Sequence, residues 1–382
     1  MKNALKRIPL NHFLLSVIMI GMFNSCSSDG SSNSNSTTGF GEVINIPGMT
    51  VVTGITELPP AGDFVLNLKT TNEGIYMQVS LASSVNDWIY RLNGFANPTW
   101  TKHEQPAERY NDWEPSNENS EGSDDFAIFF RTSTKNGLVN INTGLPALLE
   151  ENNPSFSPSE MLIDNSSMAN KWAFSGNTVR IKQNNNSGLY NTICTLPSVP
   201  ILFAEADPTD AVVWAAGQTS TLYKITVNGT VTTFDVSSYN DPSFQSVFPY
   251  EVRKIRFPYD VSHKDVYFNY QNKVFKITDG NTLSLFYTFP LSDPNNVGGG
   301  DFCVDNQFMY GTDGTRKHLQ LLNETNIIPP MPDSTNQQVI LDYISNVSMF
   351  KIAKIEVLKN STDNYIYAIY STYKLLRVPK SL

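Results

Sequence analysis

A short alternating strand that ends in a turn recurs seven times along this chain, and that recurrence narrows the available folds more than any other feature. It reads IYRLNG (89–94), GLVNINTG (137–144), TVRIKQNN (178–185), LYKITVNG (222–229), VFKITDGN (274–281), HLQLLNET (318–325) and KLLRVPK (374–380). With Tyr90, Val139, Arg180, Tyr223, Phe275, Gln320 and Leu376 taken as equivalent points, the spacings are 49, 41, 43, 52, 45 and 56 residues. Self-similarity at about 40–50 residues in a pattern made of strands is the period of a propeller blade, a four-stranded antiparallel sheet.

Two units display the whole plan. Residues 200–205, 211–216, 221–227 and 230–235 alternate as four strands, as do 252–257, 265–270, 273–277 and 283–289. Asn228-Gly229 suits a type I′ turn, because both residues tolerate positive φ. No segment sustains a 3.6-residue apolar period, so few helices are expected. Residues 351–357, 365–370 and 373–378 supply only three strands at the end, and the segment near Val43–Val52 is the natural donor of the fourth. Such a closure removes an exposed sheet edge. The expected fold is therefore an all-β propeller over 43–382, of seven blades and closed by an N-terminal strand. Insertions in the early units leave six or eight open, and two β-sandwiches meeting near 197–200 are the competing architecture.

Ahead of this body lies a different kind of sequence. Lys2, Lys6 and Arg7 precede an apolar run, Phe13–Phe23, that is too short to span a bilayer needing about 20 residues. Ser25 and Cys26 follow, the pattern of a cleavable export signal over 1–25. Phe23-Asn24-Ser25-Cys26 resembles a bacterial lipobox, and Ser27-Ser28-Asp29-Gly30 looks like the start of many Bacteroidota lipoproteins. Phe23 and Asn24 depart from the usual leucine and small residue, and an ordinary secreted protein is the alternative. The resemblance implies that Cys26 is acylated and becomes the new N-terminus. Residues 26–42 then form the lipidated cysteine and a Ser/Asn/Thr/Gly-rich tether. Its thirteen low-complexity residues, 27–39, reach about 20 Å as a flexible coil.

Loss of Lys2, Lys6 and Arg7 with the signal takes the formal charge from −9 to −12. An acidic body argues against nucleic acid as a partner. Cys194 and Cys303 lie in separate units and read as free thiols.

Chemistry is harder to find. His103, His263 and His318 fall in different units without ligand spacing, and neither HExxH, CxxC nor GxSxG occurs. No metal or cofactor is expected. The acidic stretches 207–210 and 123–125 lack the alternating spacing of a calcium loop. Thr312-Asp313-Gly314-Thr315 matches only a fragment of the turn repeated in sialidases. The segment 103–125 reads as a long polar loop in which Trp113, Tyr110 and Glu114, with Trp100 just before, are the candidate contacts to a partner or sugar. Asp333-Ser334-Thr335 resembles the O-glycosylation signal of Bacteroidota periplasmic proteins, with Ser334 as acceptor.

In layout, anchor plus propeller resembles the BamB-like propeller lipoproteins of outer-membrane assembly. That resemblance implies a non-catalytic interaction scaffold at the outer membrane, periplasmic or surface-facing, held by its lipid and presenting loops to a protein partner or glycan. The alternative is a propeller enzyme acting on carbohydrate, with carboxylates contributed by several blades.

Overall fold

In the computed structural model the described residues lie between Thr50 and Pro379: the strands named below and the turns adjoining them. Residues 1–49, 106–111, 116–126, 243–251, 290–300, 313–318 and 329–351 lie outside the description, as do shorter connectors. The strands all belong to one compact unit, Gly39–Leu382.

After β1 (Thr50–Val52), sheet 1 comprises β2 (Phe64–Thr70), β3 (Ile75–Ser80), β4 (Asp87–Leu92) and β5 (Trp100–Gln105). Sheet 2 is β6 (Asp112–Pro115), β7 (Ala127–Arg131), β8 (Lys135–Asn140) and β9 (Pro146–Glu151). Sheet 3 is β10 (Glu160–Ile163), β11 (Lys171–Ser175), β12 (Thr178–Lys182) and β13 (Asn191–Thr195). Sheet 4 is β14 (Ile201–Ala206), β15 (Val212–Gly217), β16 (Thr221–Thr226) and β17 (Val231–Asp235). Sheet 5 is β18 (Val252–Arg256), β19 (Val266–Tyr270), β20 (Lys273–Thr278) and β21 (Thr282–Thr288). Sheet 6 is β22 (Phe302–Val304), β23 (Met309–Thr312), β24 (Leu319–Leu322) and β25 (Ile327–Ile328). Sheet 7 takes β26 (Ile352–Val357), β27 (Tyr365–Tyr370) and β28 (Lys374–Pro379), and its fourth strand is β1. The only helical turn among the described residues is a 3-10 turn at Ser237–Tyr239.

The described strands thus form seven four-stranded antiparallel sheets, each a meander of consecutive strands except the last. There, β1 pairs antiparallel with β28, Thr50 opposite Arg377 and Val52 opposite Leu375. Residues 43–49, also considered for this strand, lie outside the description. First strands neighbour first strands: β2 beside β6, β6 beside β10, β10 beside β14, β14 beside β18, β22 beside β26, and β26 beside β2. This is a ring of sheets, a β-propeller, and it rules out the two-sandwich architecture.

The seven equivalent points of the repeat all fall on third strands: Tyr90 on β4, Val139 on β8, Arg180 on β12, Tyr223 on β16, Phe275 on β20, Gln320 on β24 and Leu376 on β28. The third strand is legible because a turn follows it closely in sequence. Between sheets the core is apolar. Ile255, Trp214, Phe268 and Phe275 pack together between sheets 4 and 5, while Trp172, Phe174, Val213 and Tyr223 pack between sheets 3 and 4.

One turn differs from expectation. Gly229 has φ +77°, but Asn228 is not in the left-handed region, so Asn228-Gly229 is not a type I′ turn. Gly229 N–H donates to Thr226 C=O at 2.8 Å, and Thr226 N–H donates to Thr230 C=O at 3.0 Å. That is a three-residue loop with glycine at the bulge position. Asp279 (φ +49°) and Gly280 (φ +67°) are both left-handed, as type I′ requires.

Candidate functional site

The second strand of most sheets carries an aromatic ring near its start, and the inner strand places one residue directly opposite it. The pairs are Lys69 with Tyr76, Leu162 with Trp172, Glu205 with Trp214, Arg256 with Tyr267, Cys303 with Tyr310, and Glu356 with Tyr367. The aromatics are locked from their other end. Trp172 Nε1 donates to Asp164 at 2.9 Å and Trp214 Nε1 to Asp207 at 3.2 Å. Tyr310 and Tyr367 hydroxyls donate to Asp305 and Asp363 at 3.1 and 3.2 Å. Each of these aspartates sits in the turn between first and second strands, so a recurring carboxylate fixes a recurring ring, which in turn backs a layer of inner-strand residues.

On sheets 4, 5 and 7 that layer is charged, through Glu205, Arg256 and Glu356. Arg256 Nη1 donates to Glu205 at 3.1 Å, and its Nη2 and Nε donate to the two oxygens of Glu356, the latter at 3.3 Å. Two residues earlier on β18, Lys254 Nζ lies 2.9 Å from both oxygens of Asp301 and 3.2 Å from Glu356 Oε1. It also donates to Ile355 C=O at 3.0 Å, while Ile355 N–H donates to Asp301 at 2.7 Å. Lys354 on β26 completes the group through its charge interaction with Asp301.

Burial sets the character of this hub. The Lys254 and Glu356 side chains are only 6% and 7% exposed, whereas Arg256 and Glu205 are near 20%, so the network opens toward solvent on the Arg256–Glu205 side. Burial alone would penalise the charged carboxyl of Asp301, but Lys254 and Lys354 outweigh it and hold the group below the usual aspartate range. Arg256 is likewise desolvated, yet Glu356 and Glu205 hold its guanidinium more firmly protonated than in water. Burial, reinforced by Lys254 and Arg256, pushes Lys354 below the ordinary lysine value against the pull of Asp301. Cys303, in the same layer, has its thiol pushed well up by burial and by Glu356.

Chemically, three carboxylates from three sheets meet here, which is the convergence an enzyme reading requires. Each, however, accepts from a lysine or arginine. Glycosidic chemistry calls for one carboxyl kept protonated beside one ionised. Here Asp301 is stabilised in its charged form, and the cations fill the space between the acids. Among the described residues no group of His, Cys, Asp and Glu is placed to hold a metal ion, and no helix is long and apolar enough to cross a membrane.

The residues singled out from sequence are dispersed. Trp113 is on β6 and 1% exposed, not on a surface loop. Its Nε1 donates to Gln78 at 2.8 Å, its carbonyl accepts from Lys69 Nζ at 2.7 Å, and its ring lies 6.5 Å from Tyr76. The stretch 103–125 is therefore not one loop: β5 runs to Gln105, and β6 divides the remainder, because Trp113 fills the core between sheets 1 and 2. Trp100 opens β5, partly buried, with its ring edge-on to Tyr90 at 6.4 Å. The backbone of Glu114 is on β6, and its side chain lies outside the description, as do Tyr110, Cys26 and Ser334. Cys194 on β13 and Cys303 on β22 are free, the first half-buried and the second buried.

The hub was hidden in sequence, although one signal was present. VRKIRF and IAKIEV are equivalent inner strands, each carrying charged residues on both sides of a core isoleucine. A charge at alternate positions of an otherwise apolar strand marks a buried partner in trans.

The sequence matches no protein-family model and no curated protein. Among solved structures, the β-propeller domain of Cps50 (Swd1) from Myceliophteria thermophila is similar, with a TM-score of 0.57 and 8% identity over 84% of this chain and 98% of that one. At that identity the likeness concerns the fold alone: the described body of this chain is a β-propeller.

Proposed function

We infer that this protein is an exported lipoprotein, acylated at Cys26, whose propeller is a non-catalytic scaffold that binds a protein partner or glycan at the outer membrane. The observation that carries the scaffold reading is the compensation of charge at the hub. Glu205, Asp301 and Glu356 are all engaged by Lys254 or Arg256, so the acidic groups that converge from different sheets join those sheets together. The lipobox-like Phe23–Cys26 and the tether behind it support anchoring, and the export signal over 1–25 supports a place in the envelope. On this reading Trp100 and Tyr110 are the aromatic contacts to try first, with Ser334 as a glycan acceptor on an exported chain. Trp113 drops out because its ring is in the core.

A second reading has its own observation. Three carboxylates from three sheets do meet at the hub, with Glu205 on its half-open side, so a carbohydrate-active propeller is the alternative.

The test uses the full-length chain in its native envelope. Incorporation of labelled palmitate that disappears in Cys26→Ala supports the anchor, and incorporation that persists in C26A removes it. Affinity capture from detergent-solubilised envelopes should then recover a stoichiometric outer-membrane complex. Failure to recover one, together with glycan turnover that Glu205→Gln abolishes, would replace the scaffold by the enzyme.

A further inference from the structure

Sheets 1 and 7 meet where the ring closes, and aromatic rings line the outer part of their seam. Trp88, Trp100 and Tyr365 are half-buried and pack against the apolar cluster that joins the two sheets. Trp88 and Tyr90 share one face of β4, and Trp100 stands beside them on β5, opposite Leu92. The rings of Trp88 and Trp100 each meet the buried Tyr90 edge-on, at 6.1 and 6.4 Å. Two cations lie over the half-buried rings. Lys102 Nζ, on an exposed side chain, is 4.4 Å from the Trp88 centroid, and the Arg377 guanidinium is 3.5 Å from that of Tyr365.

Tryptophan, tyrosine, lysine and arginine, each apolar in body and polar at the tip, favour the boundary between hydrocarbon and water. The route of the chain brings that boundary to this seam. β1 enters sheet 7 at Thr50, directly opposite Arg377. Tyr365 begins β27 and Leu92 ends β4, so Tyr365, Trp100 and the entry of β1 share one end of their sheets. Thr50 follows Cys26 by 24 positions, and a coil of that length spans about 25–30 Å. We propose that this rim, Trp88, Trp100 and Tyr365 with Lys102 and Arg377, rests in the headgroup layer of the bilayer that holds the acyl chain, its cations on lipid phosphates. The assignment rests on the anchored reading above and moves Trp100 from partner or glycan to lipid. An acidic body disfavours a strongly anionic surface, so a zwitterionic one is the better match. Contact there leaves sheets 3 to 5, across the ring, for the partner.

Tryptophan emission tests it, because Trp113, Trp172 and Trp214 are 1% exposed or less and only Trp88 and Trp100 lie where a lipid can reach them. The full acylated chain is placed in phosphatidylcholine vesicles whose acyl chains carry bromine near the headgroup. Its emission should be dimmed relative to unbrominated vesicles, and the dimming should be lost in Trp88→Phe/Trp100→Phe, which keeps two aromatic rings. Equal emission in both kinds of vesicle, or a double variant dimmed as strongly as the unaltered chain, overturns the proposal. Should the double variant fail to fold, Lys102→Glu keeps both reporters and should weaken the dimming, and unchanged dimming in K102E overturns it as well. Labelled palmitate keeps the two readings apart. If Cys26 proves unacylated the anchor fails, and the rim is then read on the same chain with excess vesicles, where dimming supports it and undimmed emission rejects it.

Discussion

Lys254 Nζ stands 2.9 Å from both carboxylate oxygens of Asp301 and 3.0 Å from the carbonyl of Ile355, so one ammonium joins three sheets. Its side chain is 6% exposed, and removing it strands the Asp301 carboxylate in a poorly solvated place and leaves Glu356 to Arg256. Lys254→Met should therefore destabilise the propeller by about 3–5 kcal/mol, read by urea unfolding. The double change K254M/D301N should recover part of that loss, because one stranded charge goes with it.

Acid should attack the same pair. The Asp301 carboxyl is held below its unfolded value near 3.8. Between those two values the unfolded chain binds the extra proton, so stability declines as pH falls. The contribution is fully present above the unfolded value and is lost as pH drops through the depressed one. Urea midpoints measured from neutral pH down to about pH 3 should steepen below about pH 4. In Asp301→Asn that acid limb should flatten on a lower baseline, and an unchanged limb would count against the pair.

Two glycines make a controlled comparison. Gly176 and Gly229 both have positive φ, +60° and +77°. A Cβ on Gly176 meets nothing within 4 Å, whereas one on Gly229 would lie 2.3 Å from the main-chain oxygen of Ile193 in the preceding sheet. Gly176→Ala should cost about 1 kcal/mol of backbone strain. Gly229→Ala should cost clearly more, since the turn must also retreat from sheet 3. Chemical denaturation of both variants side by side decides it, and equal costs would mean that the close approach is relieved freely.

Closure by β1 can be tested by truncation. A chain beginning after Val52 leaves β28 as an unpaired edge, with Leu375–Arg377 losing their ladder partners. An open edge invites pairing with another chain. The truncated protein should unfold at lower temperature and elute partly as larger species, and adding a peptide that covers 46–54 should reverse both effects.

The aspartates illustrate why local pattern stops short of chemistry. Asp164 lies in the turn that follows β10. It also accepts from Asn170 N–H at 3.0 Å, Asn170 Nδ2 at 2.8 Å and Trp172 Nε1 at 2.9 Å, which makes it a fixed part of the sheet. All those partners lie within eight residues, and the spacing from Asp164 to Trp172 is nearly repeated from Asp207 to Trp214. This signal was available. Trp113 misled for the opposite reason: its polar, acidic neighbours in sequence say nothing of Gln78 and Tyr76, which lie more than thirty positions away and enclose it.

What the sequence by itself determined is the repeat and everything that depends on short range. The seven third strands, the strand periods of sheets 4 and 5, the glycine turns and the need for an outside strand at the C-terminus follow from alternation and turn chemistry, which act over a few residues. Tertiary structure alone decided which charges meet. Lys254 and Glu356 are a hundred residues apart, and only closure of the ring brings β18, β22 and β26 to one centre. Charges alternating along an apolar strand say that a partner is needed but not which one, because the partner that makes each charge tolerable is supplied by the fold and not by the neighbouring residues.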